Sequence, residues 1–289
     1  MNADVEQTDT VGRRDEAPGH REEVSNQSEE VSNQGDDALA HVRVVLVHPS
    51  HPGNVGAVAR AMRVMGLRHL TLVAPRQADV LRDPQAIAFA AGADWLLHNA
   101  KIVDFLPLAL ADCTLAIAVS ASDRQFGPPP LTPEDTAQHV LQHVGAVALV
   151  FGPERSGLSI EQVGLCQRLC SIPTAGPYSS LNLAQAVQVL AYVLRRSADA
   201  VQESRARPID AIAPSEAPSV QAARHDDIEG FLAHWERALL AIGYLDPANP
   251  KKLMPRMRRL FARAGLQSEE VHLLRGVCKL MEQAARKSG

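Results

Sequence analysis

Val42-Arg43-Val44-Val45-Leu46-Val47, then His48-Pro49-Ser50-His51-Pro52-Gly53, then Asn54-Val55-Gly56-Ala57-Val58-Ala59-Arg60-Ala61-Met62: this stretch decides the fold. Its first six residues are an apolar, β-branched run, as expected of a strand buried on both faces. The Pro/Gly-rich hexapeptide is a loop. Asn54 is placed to cap a helix whose apolar positions Val55, Val58, Met62 and Met65 recur at helical spacing. Gly66 ends that helix, and Leu70-Thr71-Leu72-Val73 is the next strand. The alternation continues outward. Helical text surrounds Ile87, strands are predicted over 115–120, over 147–151 and near Ile172, and a helix over 133–143. A long helix starts near Ser180, with Leu183, Val187, Leu190 and Leu194 on one face. Strand and helix in alternation predict an α/β fold, a parallel sheet flanked by helices on both sides.

The 289 residues carry 29 Lys+Arg against 33 Asp+Glu, a formal charge of −4. That figure merges two unlike regions. Residues 1–40 hold three basic and eleven acidic residues, and the remainder holds 26 against 22. The 1–40 segment is acidic, lacks aromatic residues and repeats Glu-Glu-Val-Ser-Asn-Gln at 22–27 and 29–34, which predicts a disordered tail. The α/β text spans 41–203. Residues 204–224, with Pro208, Pro214 and Pro218, have linker composition, and 225–289 read as helices only. This last segment holds eleven basic against eight acidic residues, with six bases and no acid between Lys251 and Arg263. Pro255 lies inside that basic helical text and must kink the helix or move its start.

No run approaches the length of a membrane span, and the acidic N-terminus is unlike a signal peptide. A cytoplasmic protein is expected. Cys166 and Cys170, four apart, suit one helix face and not a redox or zinc pair, so the four cysteines are read as reduced thiols. Phosphate-loop, dinucleotide and nucleophile-elbow motifs are missing. The pairs His139/His143 and His48/His51 have no carboxylate placed to complete a metal site, and none is expected.

Three clusters remain, each at a strand–helix junction, where open α/β sheets place ligands. In the first, Asn54 to Met62, either the small residues serve packing and Arg60 is a solvated side chain, or Arg60 and Arg63 meet a phosphodiester near a helix start. The second is Val150-Phe151-Gly152-Pro153-Glu154-Arg155-Ser156-Gly157-Leu158. It is either an ordinary turn or one whose backbone lies against a cofactor, with Glu154 able to pair with a nearby Arg. The third runs from Ile172 through Pro173, Gly176, Pro177 and Tyr178 to Ser179-Ser180-Leu181-Asn182. Ser179 or Ser180 can cap the helix that follows. Capping does not account for Asn182, read as lying just inside that helix.

Taken together and in this order, the three clusters closely resemble the signature motifs of the SpoU/TrmH branch of the SPOUT RNA methyltransferases. The resemblance covers about 41–289. It is nearest to the members that methylate the ribose 2′-oxygen of C or U at anticodon-loop position 32 of tRNA. Ser50-His51-Pro52-Gly53-Asn54, the text from Tyr178 to Val189, Arg258-Arg259-Leu260-Phe261-Ala262-Arg263-Ala264 and Leu273-Leu274-Arg275-Gly276 carry that nearness.

The resemblance implies an α/β knot, with a C-terminal trefoil, working as a homodimer on tRNA and not on DNA or a membrane. It implies S-adenosylmethionine as cofactor, held by Val119, Ser120, Ala121, Gly152, Ile172, Ser179, Ser180 and Leu181. It places Arg60 at the 2′-hydroxyl, Asn54 and Glu154 in support of Arg60 and its loop, and Ser180 and Asn182 at the reacting centre. Arginine keeps its proton to above about pH 12, so a clamp on phosphate and hydroxyl is the simpler role for Arg60. Arg60, Arg63, Lys251, Lys252, Arg256, Arg258, Arg259 and Arg263 would contact RNA backbone. Two alternatives stay open: the same chemistry on another RNA such as ribosomal RNA, or a knotted RNA-binding protein without transferase activity.

Overall fold

The computed structural model describes residues 38–121, 130–175, 181–206 and 221–288. The expected acidic tail up to residue 37 lies outside them, as do 207–220 of the expected linker. The described residues include 38–40, which the sequence reading assigned to the tail. Leu39 is buried in the main core, and its carbonyl accepts a hydrogen bond from the Val42 N–H at 3.0 Å.

Seven strands, β1 (Val42–Val47), β2 (His69–Val73), β3 (Lys101–Val103), β4 (Leu115–Val119), β5 (Pro130–Leu131), β6 (Val147–Phe151) and β7 (Arg168–Cys170), form one sheet. Their order is β3-β2-β1-β6-β4-β7-β5, and every pairing is parallel. β1 and β6 are almost wholly buried, as a central parallel strand covered on both faces must be. One face packs on α1 (Pro52–Val64), α2 (Pro84–Ala90), α3 (Asp94–His98), α5 (Pro133–Gln142) and α7 (Leu183–Ala206); α4 (Leu106–Leu110) and α6 (Ile160–Gly164) cover the other. Cys166 follows α6 while Cys170 ends β7, so the two do not share a helix face; both are buried free thiols. Burial pushes the Cys166 thiol up to about 12.

Three local expectations change. α1 starts at Pro52, a residue suited to the first helical position because its missing N–H would have no partner there. Asn54 is therefore inside the first turn, with no part in capping. The long helix starts at Leu183 and leaves Asn182 just outside it, where its Oδ1 accepts the Ala184 N–H at 2.9 Å. Asn182 is a cap after all. Ser179 and Ser180 lie outside the described residues.

The remaining chain forms α8 (His225–Ala241), α9 (Leu253–Ala264) and α10 (Ser268–Ser288) around Phe231, Leu232, Ala238, Leu266, Val271 and Cys278. Phe231 and Phe261 meet edge to face with centroids 4.9 Å apart, and Trp235 sides with both. Pro255 moves the helix start rather than kinking the helix: it sits in the first turn of α9, where its N–H would be unpaired anyway. This helical extension docks at the amino ends of β4 and β7. The His225 N–H donates to the Cys113 carbonyl at 2.7 Å, and Arg168 donates to the Ala262 carbonyl at 2.8 Å. Among the described residues no helix is long and apolar enough to cross a membrane.

Candidate active site

The carboxyl ends of β4, β6 and β7 lie side by side in the sheet, so the loops leaving them converge. They enclose a cleft of about 230 Å³. Val119, Ser120 and Ala121 line it after β4, Gly152 to Gly157 after β6, and Ile172 and Thr174 after β7; Leu181, Leu183 and Ala186 close it from the start of α7. Of the eight expected cofactor contacts, Val119, Ser120, Ala121, Gly152, Ile172 and Leu181 fall on this one cleft. Phe151, Pro153, Arg155, Ser156, Gly157 and Thr174 line it too, within the second and third clusters but not expected one by one as contacts; Leu183 and Ala186 lie in the helix that follows, where nothing distinguishes them from other apolar residues.

Glu154 organises the rim. Its Oε2 accepts from Ser50 Oγ at 2.7 Å and the Ser50 N–H at 3.1 Å, and its Oε1 accepts from Asn54 Nδ2 at 2.9 Å and the His51 N–H at 3.3 Å. Burial works to raise this carboxyl, but the hydrogen bonds from Asn54 and Ser50 outweigh it and hold it below the ordinary value. Among the described residues its partners are thus an amide, a hydroxyl and backbone, not the arginine the sequence suggested. Asn54 also accepts, through Oδ1, from Asn182 Nδ2 at 3.1 Å. Asn182 in turn caps α7. A chain of hydrogen bonds therefore ties the β1–α1 loop, the β6–α6 turn and the start of α7 into one unit, with each amide oriented by two partners.

The motif glycines serve the chain itself. A Cβ on Gly152 would stand 2.3 Å from the Leu158 nitrogen, so the turn folds back on its own backbone there. A Cβ on Gly56 would stand 2.0 Å from the Ala86 carbonyl oxygen, where α1 and α2 touch. Gly157 takes a left-handed φ of 64°, and its N–H closes the turn on the Pro153 carbonyl at 2.9 Å.

Arg60 projects from the exposed face of α1 and is not among the described residues lining the cleft. Arg63, one turn on, donates to the Gly92 carbonyl. In the extension Lys251, Lys252, Arg256, Arg259 and Arg263 are exposed. Arg258 differs: it is half-buried and makes a two-pronged ion pair with Glu229, the Nη2–Oε2 bond being 2.9 Å. Its guanidinium holds α9 to α8, which removes it from the expected RNA-facing set. His143, once weighed as half of a metal pair, bonds Thr114 Oγ1 at 2.7 Å, and burial lowers its affinity for a proton.

The fold, a cleft at the carboxyl ends of three parallel strands and a cross-linked rim of Glu154, Asn54 and Asn182 define the class. The chain belongs to the SpoU methylase family: residues 41–192 match the model of the SpoU rRNA Methylase family. Within the family, one line of relatives stands out. Residues 226–289 match the C-terminal domain of tRNA methyltransferase TrmJ. The tRNA (cytidine/uridine-2′-O-)-methyltransferase TrmJ of Klebsiella pneumoniae is 45% identical over 248 residues, 85% of this chain and 98% of that one. The tRNA (cytidine/uridine/adenosine-2′-O-)-methyltransferase TrmJ of Pseudomonas aeruginosa is 40% identical over 86% of this chain and 96% of its own. The crystal structure of TrmJ from Z. mobilis ZM4 superposes with a TM-score of 0.69 at 32% identity, covering 83% of this chain and 98% of that one.

Proposed function

We propose that the chain is an S-adenosylmethionine-dependent tRNA methyltransferase that methylates the ribose 2′-oxygen of C or U at anticodon-loop position 32. The observation that carries this reading is the hydrogen-bonded unit of Glu154, Asn54 and Asn182 on the rim of the strand-end cleft. The similarity of the whole body, extension included, to the TrmJ proteins supports tRNA over another RNA as substrate.

The cleft fits the cofactor. Its lining joins apolar groups (Phe151, Leu181, Leu183, Ala186) to backbone of three loops, the surroundings that an adenine ring and a polar amino-acid tail require. Val119 to Ala121, Gly152, Ile172 and Leu181 would hold it, with Ser179 and Ser180 completing the set. When bound, it supplies an electrophilic methyl on a sulfonium. The protein then has to align the 2′-oxygen and help its proton leave. Arg60, exposed on α1, clamps the target phosphate and orients the hydroxyl. Asn54 and Asn182 hold the rim to which that nucleotide is presented, and Glu154 fixes them. The β7 segment between β4 and β5, followed by α7 back against the cleft, supports a knotted C-terminal path. A second copy of the chain is expected to complete the RNA site. Arg63, Lys251, Lys252, Arg256, Arg259 and Arg263 are its phosphate contacts.

Nucleoside mass spectrometry of tRNA incubated with the protein and labelled cofactor tests this directly. 2′-O-methylated C or U in the anticodon loop is expected. A product elsewhere in the tRNA, or only in ribosomal RNA, would transfer the activity to another substrate, and no product would end the enzyme reading. A clamp role for Arg60 predicts that Arg60→Lys stays slow at high pH; recovery there would make Arg60 the base.

A further inference from the structure

Among the described residues that line the strand-end cleft, only Glu154 and Arg155 carry a charge, and they are neighbours in one turn. Their situations are opposite. Both oxygens of Glu154 accept from Ser50, His51 and Asn54, so its charge is committed to the β1–α1 loop. Arg155 is exposed and makes no hydrogen bond or ion pair among the described residues. No contact within the chain accounts for a cation at this position.

The turn nevertheless fixes where that cation stands. On one side of Arg155, Glu154 is pinned by its side chain. On the other, the Gly157 N–H closes on the Pro153 carbonyl at 2.9 Å. The backbone of Arg155 is thus held between two anchored residues, while its guanidinium keeps its donors for a group from outside the chain. A planar fork of this kind matches a carboxylate or a phosphate, each of which can accept from two of its N–H groups at once.

The position in the cleft selects between those anions. Arg60 and Arg63, read as phosphate contacts, stand outside the lining, whereas Arg155 shares it with Val119 to Ala121, Gly152, Ile172 and Leu181, the expected cofactor contacts. S-adenosylmethionine has one anionic group, the carboxylate of its amino-acid tail. We infer that Arg155 is a cofactor-binding residue whose guanidinium holds that carboxylate: the one anion of the cofactor meets the one cation of the described lining. The inference rests on the proposed cofactor and adds to it the side chain that reads the tail.

Two compounds that differ in the tail test it by calorimetry on the full chain. S-adenosylhomocysteine keeps the amino-acid tail; 5′-methylthioadenosine keeps the adenosine and the sulfur and lacks the tail. Arg155→Gln, which removes the charge at nearly constant size, is expected to weaken S-adenosylhomocysteine by about tenfold or more and 5′-methylthioadenosine by less than about twofold. Arg155→Lys, which keeps the charge and loses the fork, is expected to bind S-adenosylhomocysteine to within about threefold of the parent. Because the side chain has no partner within the described chain, both variants are expected to melt within about 1 °C of the parent. Equal losses for the two compounds would make Arg155 a prop for the turn, and unchanged S-adenosylhomocysteine affinity with weaker tRNA binding would assign it to the RNA; either overturns the inference. A parent chain that binds neither compound would overturn the cofactor reading as well, a result distinct from a parent that binds both and a variant that matches it.

Discussion

Asn54 is an amide and not an acid because it must face both ways. Its Nδ2 donates to the Glu154 carboxylate while its Oδ1 receives Asn182. An acid there keeps only the acceptor side and sets two carboxylates together. Asn54→Asp is therefore expected to lower the melting temperature by about 5 °C at pH 8, a loss of about 2 kcal/mol. The introduced pair has one carboxyl whose folded pKa is raised, so the loss shrinks as the pH falls toward 5; a thermal melt at both pH values checks this. The native Glu154 behaves oppositely. Held below its ordinary 4.5, its contribution is complete above that pH and is lost as the pH falls through the lower folded value. Gly152→Ala is a steric test of the same rim. Its Cβ meets backbone, which cannot rotate away, so the 152–158 turn must shift. Cofactor affinity measured by calorimetry is expected to fall at least tenfold with the sheet core intact. Asn54, Glu154 and Asn182 could be singled out in the sequence; their partners could not. The bonds join positions 100 and 128 residues apart, and a helix start moved three residues earlier, to Pro52, turned a supposed cap into a bridge.

At the scale of elements, the seam between the sheet and the extension holds a buried His225 whose two ring nitrogens have no hydrogen-bond partner among the described residues. Burial, together with Arg258, lowers its proton affinity against the opposing pull of Glu229 and Asp226. The folded state thus binds fewer protons than the unfolded one below the ordinary value of 6.5, and stability falls as the pH drops past it. His225→Phe removes both the unpaired nitrogens and the titration. Its urea midpoint is expected to match or exceed the parent's at pH 7.5, and its decline from pH 7 to 5 to be shallower; an unchanged slope would place the effect at His143. β1, β2, β4 and β6 were plain in the sequence, since β-branched runs such as Val42–Val47 and Val147–Phe151 have few other uses; the short β3 and β5 were not predicted, and β7 ends at Cys170, before the Ile172 around which a strand was expected. The order β3-β2-β1-β6-β4-β7-β5 was not legible, because which strand a crossover inserts beside which depends on packing between distant elements and leaves no local pattern.

For the whole molecule, charge is divided rather than balanced. Residues 1–40 hold eleven acids against three bases, while Lys251, Lys252, Arg256, Arg259 and Arg263 stand exposed on the extension. A chain lacking residues 1–37 is expected to keep its methyl-transfer rate and to bind tRNA equally well or more tightly in a filter-binding titration at low salt. Weaker binding would make the tail a working part.

The attachment of the extension also sets a length. It grips the sheet at the amino ends of β4 and β7, whereas the cleft opens at their carboxyl ends. Five residues of β4 separate the two rims, roughly 17 Å of extended chain. The strands act as a ruler. Within one copy, an RNA that touches the basic helix and reaches the cleft must span at least that distance. A folded tRNA body meets this gauge, and a mononucleotide does not.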